Sequence, residues 1–336
     1  MFVEKILNYE HIYQNLLTPL SETKLISELK EISKNFTINR DKIGEYVVSK
    51  EMVSAYTSFY LPTNIPKFYF LMNQLPEKIR QRIGELDFLD VGTGPGTYLV
   101  AHDQYFENGK RLYGLDSSSL MLEQAKKLLG DRVVLSSALP TDFSGGVLLF
   151  GNSLNEMKSS KGLELVKRTN PEIVLLIEPG TKESFFEVSA FRKVLLEQGY
   201  GVVYPCPEPQ KACPAKGDEW CHQVLRTVHD PDVERLSQLI ALDRRAMPMV
   251  AHCYEKNHES SNHRALFYRF LKETKHSFDW QVCLEGQDEL VIFEIPKRGM
   301  KKKEIKQFAS KSVGEAFDYK IEKELGDDKF RVSIKR

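Results

Sequence analysis

No apolar run in the 336 residues approaches the roughly 20 that a bilayer-crossing helix needs, so a soluble protein with no membrane partner is expected. A secretory leader is also missing, because Met1 to Leu17 carries Glu4 and Glu10 and has no extended apolar core. The compartment this implies is the reducing cytoplasm, where disulfides are uncommon. Charge of one sign is absent too, since 47 Lys and Arg balance 47 Asp and Glu, a total that points to no particular partner. Clear internal repeats and low-complexity stretches are lacking. What remains is a chain long enough to bury a sizeable core, in one large domain with appendages or in two domains.

The distribution of charge says more than its sum. Residues 297–336 hold thirteen Lys or Arg against seven Asp or Glu, so this tail carries +6 and the rest of the chain −6. A basic module on a neutral protein suits an anionic partner such as RNA, and no DNA partner is expected. A solvated lysine-rich face accounts equally well for the charge alone. The tail contains a strand candidate at 289–295 closed by Pro296, then Lys297, Arg298, Lys301, Lys302 and Lys303, then Lys306 and Lys311. An alternating run, Lys329 to Lys335, follows. These residues read as a small β-rich module whose basic face meets a phosphate backbone in a salt-sensitive contact.

The first 80 residues read as a helical extension. From Ser21 to Ile32 apolar residues recur at helical spacing behind a serine cap. An aromatic stretch from Tyr56 to Met72 is interrupted by Pro62 and Pro66; most of its rings suit a core, with Tyr60 a candidate lid. From Leu86 the pattern becomes short apolar runs between helical segments. Strands are expected at 86–91, 111–115, 132–135, 146–150, 172–177 and 201–204. Such alternation predicts an α/β fold with a mostly parallel sheet. Four segments follow: 1–80 helical, 81–204 the nucleoside-binding core, 205–276 a cysteine-bearing segment completing it, and 277–336 the basic β-rich module.

The first strand runs into Asp90-Val91-Gly92-Thr93-Gly94-Pro95-Gly96-Thr97. Glycines there permit a tight turn and close approach of a ligand to the main chain. The next strand ends in Asp116, where a carboxylate can accept hydrogen bonds from both ribose hydroxyls. A P-loop is excluded because no Gly-Lys-Ser/Thr follows, and the final spacing of the dinucleotide fingerprint is missing. The string resembles motif I of class I methyltransferases that bind S-adenosylmethionine, and this resemblance implies a Rossmann-like sheet. By the same resemblance Asp90 lies near the amino-acid part of the cofactor, Asp116 holds the ribose, and Ser137, Ala138 and Leu139 border adenine. Asn152, in Gly151-Asn152-Ser153-Leu154-Asn155-Glu156-Met157, lies in the segment that faces the methyl group. Asn152, Asn155 or Glu156 could orient a substrate or cap the next helix. No Asn/Asp-Pro-Pro-aromatic signature is present, and every cysteine lies beyond residue 205, which removes the nucleophile of cytosine C5 enzymes.

Three of the five cysteines fall in Pro205-Cys206-Pro207, Cys213-Pro214 and Trp220-Cys221-His222. They sit among Pro, Glu, Gln, Lys, Gly and Asp, a loop composition that offers a buried thiol little packing. Ligation of a metal or an iron–sulfur cluster accounts for them better than apolar filling. Structural zinc sites usually contain a close Cys pair with two to four intervening residues, and neither gap here is that short. Proline directly after Cys206 and Cys213 agrees with cluster loops. His222 is an alternative ligand, and zinc remains a rival.

The combination of Ile177-Glu178-Pro179-Gly180-Thr181, Tyr204-Pro205-Cys206-Pro207, Cys213-Pro214 and Trp220-Cys221-His222 resembles a ribosomal small-subunit rRNA methyltransferase family, mitochondrial in type. This family includes methyltransferase-like protein 17. The likeness takes in Tyr60-Leu61 with Pro66, the glycine loop, and a C-terminal pattern of Ser310, Lys311, Gly314, Ala316, Tyr319, Gly326 and Asp327, so it spans most of the chain. Between Ala241 and His263 the family's acidic and aromatic run has no match. The resemblance implies a class I S-adenosylmethionine fold, a four-cysteine [4Fe-4S] cluster, and association with the small ribosomal subunit or its rRNA during assembly. It implies methyl transfer less directly, because the catalytic signatures are missing. The family places its last cysteine before an acidic-glycine turn, which favours Cys283 in Cys283-Leu284-Glu285-Gly286 as the fourth ligand. Cys253 is the alternative, otherwise a buried thiol. Two functions stay open: a methyltransferase acting on rRNA, and a metal-stabilised assembly factor that binds RNA without turnover.

Overall fold

The computed structural model describes residues 9–38, 48–107, 110–259, 264–309 and 313–334; of the residues read above, Glu4, His263, Ser310, Lys311 and Lys335 lie outside them. The chain divides into two compact units. The first comprises Met1–Glu178 with Leu225–Met247, the second Pro179–Val224 with Pro248–Arg336.

In chain order the elements begin with helices α1 (Tyr9–Gln14), α2 (Glu22–Ile38), α3 (Lys50–Gln74) and α4 (Glu77–Glu85). Strands and helices then alternate as β1 (Phe88–Val91), α5 (Thr97–Phe106), β2 (Leu112–Leu115), α6 (Ser119–Leu129), β3 (Val133–Ser136) and β4 (Val147–Gly151). Next come α7 (Leu154–Met157), α8 (Ser159–Thr169), β5 (Ile173–Pro179), α9 (Lys182–Glu197), β6 (Tyr200–Tyr204), β7 (Gln223–Arg226) and α10 (Pro231–Leu239). The chain finishes with β8 (Ala246–Lys256), β9 (Ala265–Glu273), β10 (Ser277–Cys283), β11 (Val291–Pro296), α11 (Lys302–Ala309), β12 (Ala316–Phe317), β13 (Tyr319–Gly326) and β14 (Lys329–Ile334). All six strands expected from 86 to 204 form, with ends shifted by at most two residues.

In the first unit the strands run β3-β2-β1-β4-β5, each pair parallel, with Phe88 opposite both Leu112 and Val147. Every residue of β1 is buried, as are Val147 to Phe150 in β4. Parallel strands covered on both faces read as continuous apolar runs for this reason. The order reverses between β1 and β4, where ligands of such sheets bind beyond the strand carboxyl ends. This is the Rossmann-like α/β fold expected from the sequence.

The prolines of the aromatic stretch do not break it: α3 runs for 25 residues with Pro62 and Pro66 inside. Each proline removes one ladder donor. Nearby buried hydroxyls turn back onto the helix carbonyls, with Thr57 Oγ1 donating to Val53 O, Ser58 Oγ to Ser54 O and Thr63 Oγ1 to Tyr60 O. Burial of most of its residues holds the helix against the loss, each fully buried large apolar side chain contributing roughly 1.5–3 kcal/mol. Ser49 caps the start by accepting from Met52 N at 3.1 Å. Leu25, Leu29 and Ile32 of α2 share a core with Ala55, Phe59 and Tyr60 of α3 and with Val233 and Leu236 of α10. Tyr60 is therefore a core ring, stacked on Tyr56 at 5.0 Å between centroids, rather than a surface lid.

In the second unit β6 pairs antiparallel with β8, Val202 facing Tyr254. A further sheet runs β12-β9-β10-β11-β14-β13, antiparallel except for β11 and β14. Burial alternates along β11, the period expected of a sheet with one covered face. Phe267, Trp280, Phe293, Phe308 and Phe317 form its core, with the rings of Phe267 and Phe317 stacked 3.9 Å apart. Among the described residues no helix is long and apolar enough to cross a membrane.

Candidate functional sites

The glycine loop lies at the carboxyl end of β1. Gly92 N and Thr93 N both donate to Leu115 O, at 2.7 and 3.0 Å, which folds the loop over the end of β2. Gly92, Gly94 and Gly96 take φ of +71°, +55° and +87°, left-handed values that glycine tolerates. A Cβ at Gly92 would stand 2.5 Å from Ser153 Cβ, while one at Gly94 would meet nothing within 4 Å. Gly94 N donates to Asp116 Oδ2 and Ser118 N to Asp116 Oδ1, both at 2.8 Å. These bonds orient the Asp116 carboxylate and leave it lone pairs for ribose hydroxyls.

Asp90 is fully buried. Its Oδ2 accepts from Thr93 Oγ1 at 2.8 Å, and its Oδ1 has no hydrogen-bond partner among the described residues. Burial pushes its carboxyl up to about 7 and also raises Asp116. Ala138 lies in the exposed turn after β3, its N–H donating to Ser136 Oγ at 3.1 Å. Asn152, at the end of β4, takes φ +57°. Its main-chain N–H donates to Ile177 O at 2.8 Å and its Nδ2 to the Tyr98 hydroxyl at 3.3 Å.

The structure adds Glu178, Lys67 and Arg244, which sequence reasoning did not assign to the site, beside Glu156, which it offered as a substrate-orienting residue. Glu178, the last residue of the first unit's N-terminal segment, accepts from Ser153 N at 3.0 Å and Leu154 N at 2.9 Å through Oε1. Its Oε2 is buried and unpartnered among the described residues, and burial raises the carboxyl to about 8. Glu156 is exposed, and desolvation at its carboxyl, with the nearby Asp116, raises it to about 7. Lys67 of α3 is 4 % exposed and donates to Asn152 Oδ1 at 3.5 Å; burial, reinforced by Arg244, lowers its ammonium to about 7. Arg244 donates from Nη2 to Asn64 Oδ1 at 3.0 Å and stands 5.9 Å from the Tyr60 ring centre. The one visible signal for Lys67 was a lone cation inside the apolar run Ile65-Pro66-Lys67-Phe68-Tyr69-Phe70.

In the second unit Cys206, Cys213, Cys221 and Cys283 line one cavity, together with Arg192 and His252. The last two were not anticipated as site residues. Cys253 is not among the lining residues; it lies buried on β8 opposite Tyr204. His222 stacks on Trp220, ring centres 6.2 Å apart, and is likewise not part of the lining. All five cysteines are free thiols. Burial, helped by neighbouring Cys206, raises Cys213 to about 11, and burial puts Cys221 and Cys283 well above the ordinary thiol value. Arg192 on α9 is 5 % exposed, donates from Nη2 to Lys211 O, and keeps a buried Nε without a partner among the described residues. Burial works against its charge, and Cys206, Tyr254 and Cys213 outweigh burial, leaving the guanidinium above the ordinary arginine value. The donors suit a soft metal in kind. Among the described residues, however, no three His, Cys, Asp or Glu side chains form a group that could hold a metal ion, so neither a zinc nor an iron–sulfur site is shown.

The profile of a family described as mitochondrial small ribosomal subunit Rsm22 matches residues 50–265, which takes in α3, the glycine loop and three of the lining cysteines. The chain belongs to the Rsm22 family. Solved structures similar to this Rsm22-family chain are S-adenosylmethionine-dependent methyltransferases. One, from Thiobacillus denitrificans in complex with S-adenosyl-L-homocysteine, is 16% identical with a TM-score of 0.35, covering 57% of this chain and 91% of that one. Another, from Geobacter sulfurreducens with the same ligand, is 16% identical with a TM-score of 0.33, covering 57% and 90%. Magnesium protoporphyrin IX methyltransferase from Synechocystis, with bound S-adenosylmethionine, is 12% identical with a TM-score of 0.38, covering 71% and 99%. No curated protein matches the sequence.

The C-terminal sheet of this Rsm22 chain neutralises part of its basic charge. Lys329 Nζ lies 2.8 Å from Asp279, Arg331 Nε 2.7 Å from Glu294, and Lys297 Nζ 2.6 Å from Glu273. Arg298, Lys301, Lys302 and Lys303 are exposed, and none has an ion-pair partner among the described residues. Lys320 and Lys323 on β13 are likewise exposed and unpaired among the described residues, so the outward basic charge lies both beside α11 and on β13.

Proposed function

We propose that this Rsm22-family protein binds S-adenosylmethionine at the carboxyl end of β1, associates with the small ribosomal subunit, and methylates its rRNA. The observation that carries the cofactor reading is the glycine loop: three left-handed glycines, open space at Gly94, an oriented Asp116, and a buried Asp90 oxygen without a protein partner. Asp116 would hold the ribose, Asp90 the amino-acid end, and Ala138 the adenine border. Asn152 would face the methyl group, which the bound cofactor supplies. The exposed cations from Arg298 to Lys303 would meet rRNA phosphates in the reducing compartment where assembly takes place.

In the same reading Cys206, Cys213, Cys221 and Cys283 ligate a [4Fe-4S] cluster, supported by four thiols from distant points of the chain on one cavity wall. The metal would deprotonate thiols that burial otherwise keeps protonated, and its loss would damage folding along with function. A second reading, an RNA-binding assembly factor without turnover and with a structural zinc or cluster, is favoured by one fact. All five cysteines lie outside the first unit, so the proposed cofactor site has no thiol nucleophile.

Calorimetric titration with S-adenosylhomocysteine, paired with a methyl-acceptor assay on immature small subunits, tests the main reading. Binding with methyl incorporation supports it, binding without incorporation favours the assembly factor, and no binding sinks the cofactor assignment. Iron, sulfide and zinc analysis after anaerobic purification tests the metal. The cluster reading expects iron and sulfide near four each per chain, as [4Fe-4S] requires, lost in Cys206→Ser and Cys283→Ser and kept in Cys253→Ser.

A further inference from the structure

Lys67, buried on α3, and Arg244, half-buried, form no ion pair among the described residues, although the Glu178 carboxyl favours the Lys67 charge from beyond ion-pair distance. Lys67 Nζ has one hydrogen-bonding partner among the described residues, the neutral Asn152 Oδ1 at 3.5 Å, and takes part in no ion pair. Arg244 uses Nη2 on another neutral oxygen, Asn64 Oδ1, and keeps a buried Nε unpartnered among the described residues. Asn64 and Lys67 are three residues apart on α3 and so share a face of the helix, which places the two cations side by side. Burial depresses the Lys67 ammonium, and the neighbouring Arg244 adds to that depression. An anion bound to both would reverse that effect, because charge-assisted hydrogen bonds in a dry site are strong.

The acids nearby limit what that anion can be. Asp90 Oδ1 and Glu178 Oε2 are buried and unpartnered among the described residues, and the exposed Glu156 acts electrostatically on Glu178. A polyanionic RNA backbone would meet these carboxylates as repulsion. A zwitterion would find its ammonium matched by the acids and its carboxylate by the cations. The depth of Lys67 likewise suits a small ligand better than a polymer.

We propose that Lys67 and Arg244 form a carboxylate-binding subsite, which recognises the α-carboxylate of an amino-acid head group whose ammonium is received by Asp90. Neither residue carries out chemistry; both position the ligand. The inference rests on the cofactor reading above, and it identifies which end of the cofactor these residues grip.

The test is calorimetry on the full chain with S-adenosylmethionine and its decarboxylated analogue, which lacks the carboxylate alone. Wild type is expected to bind S-adenosylmethionine at least tenfold more tightly than the analogue. Lys67→Met and Arg244→Met are expected to lose at least tenfold for S-adenosylmethionine and to bind the analogue as wild type does. Failure of wild type to bind either compound overturns the cofactor reading itself. Equal wild-type affinities for the two, or equal weakening of both by Lys67→Met, overturns the subsite while the cofactor reading stands. Weakened rRNA binding in Lys67→Met with unchanged S-adenosylmethionine affinity also overturns it and reassigns the cations to a phosphate. The wild-type comparison needs no variant, so a variant that fails to fold leaves the proposal exposed to refutation.

Discussion

Alanine at Gly92 and alanine at Gly94 should separate the structural duty of the loop from its ligand duty. Both residues are left-handed, so either substitution carries a strain of about 1–2 kcal/mol. At Gly92 the new methyl also stands 2.5 Å from Ser153 Cβ. Ser153 cannot yield easily, because its Oγ donates to Val91 O at 2.6 Å and its N–H to Glu178 Oε1 at 3.0 Å. Overpacking of that kind adds about 1–3 kcal/mol, so Gly92→Ala is expected to destabilise the first unit by about 2–5 kcal/mol. At Gly94 nothing lies within 4 Å, and the strain stands alone. Gly94→Ala should therefore fold nearly as well as wild type yet lose at least tenfold in affinity for S-adenosylhomocysteine, its methyl filling the space the ligand approaches. Urea unfolding is followed by far-ultraviolet circular dichroism, to which the first unit contributes most of the helices. Both tryptophans, Trp220 and Trp280, lie in the second, so their fluorescence serves as an internal control. Equal destabilisation by the two variants, or undiminished ligand affinity in Gly94→Ala, would refute the reasoning.

The buried acids give the ligand-free protein a distinct pH response. Asp90 and Glu178 have folded pKa values raised to about 7 and 8, so the folded state holds more protons than the unfolded chain above their ordinary values. Their contribution is fully present below about pH 4 and lost as pH rises towards 8. Melting temperature should fall across that window, and Glu178→Gln should flatten the fall; an unchanged profile would show that Glu178 does not titrate as placed. Lys67, lowered to about 7, acts oppositely between about 7 and 10.4, where deprotonation in the folded state makes stability rise with pH. In the second unit Phe293→Ala should cost about 3–5 kcal/mol, read by tryptophan fluorescence, because Phe293 is fully buried in the aromatic core. Lys302→Glu with Lys303→Glu should weaken rRNA binding and lower its salt slope by about 1 for each phosphate no longer neutralised; an unchanged slope would place the RNA surface elsewhere.

The six core strands, the glycine loop and Asp116 were legible because each depends on a short run of sequence. Phe88, Leu89 and Val91, for example, must be apolar because both faces of β1 are covered, and the strand must be followed by glycine to turn. The α3 helix was not legible as one element, because local rules place breaks at Pro62 and Pro66. The packing of α3 against α2 and α10 overrides those rules only in the folded protein. Lys67 and Arg244 escaped for a similar reason: 176 residues separate them, and each alone resembles a surface cation. Arg192 and His252 became site residues only when α9 and β8 brought them to the same cavity as thiols from four separate points of the chain. Periodicity marks which face of an element is covered, but it does not mark what covers it.

The alternation of the chain between its two units imposes an order on synthesis. A nascent chain ending at residue 224 already contains Cys206, Cys213 and Cys221 but lacks α10, whose Val233 and Leu236 cover Leu29 and Phe59 in the helical core. By Met247, 23 residues later, every part of that unit has been made, while Cys283 is still to come. The glycine-loop unit therefore has all its parts before the fourth thiol exists, and the four-thiol cavity can be completed only on a protein whose first unit has already been made. No single cut yields either unit alone: a truncation that removes the last cysteine spares the loop, but one that removes all the thiols also deprives the loop unit of α10.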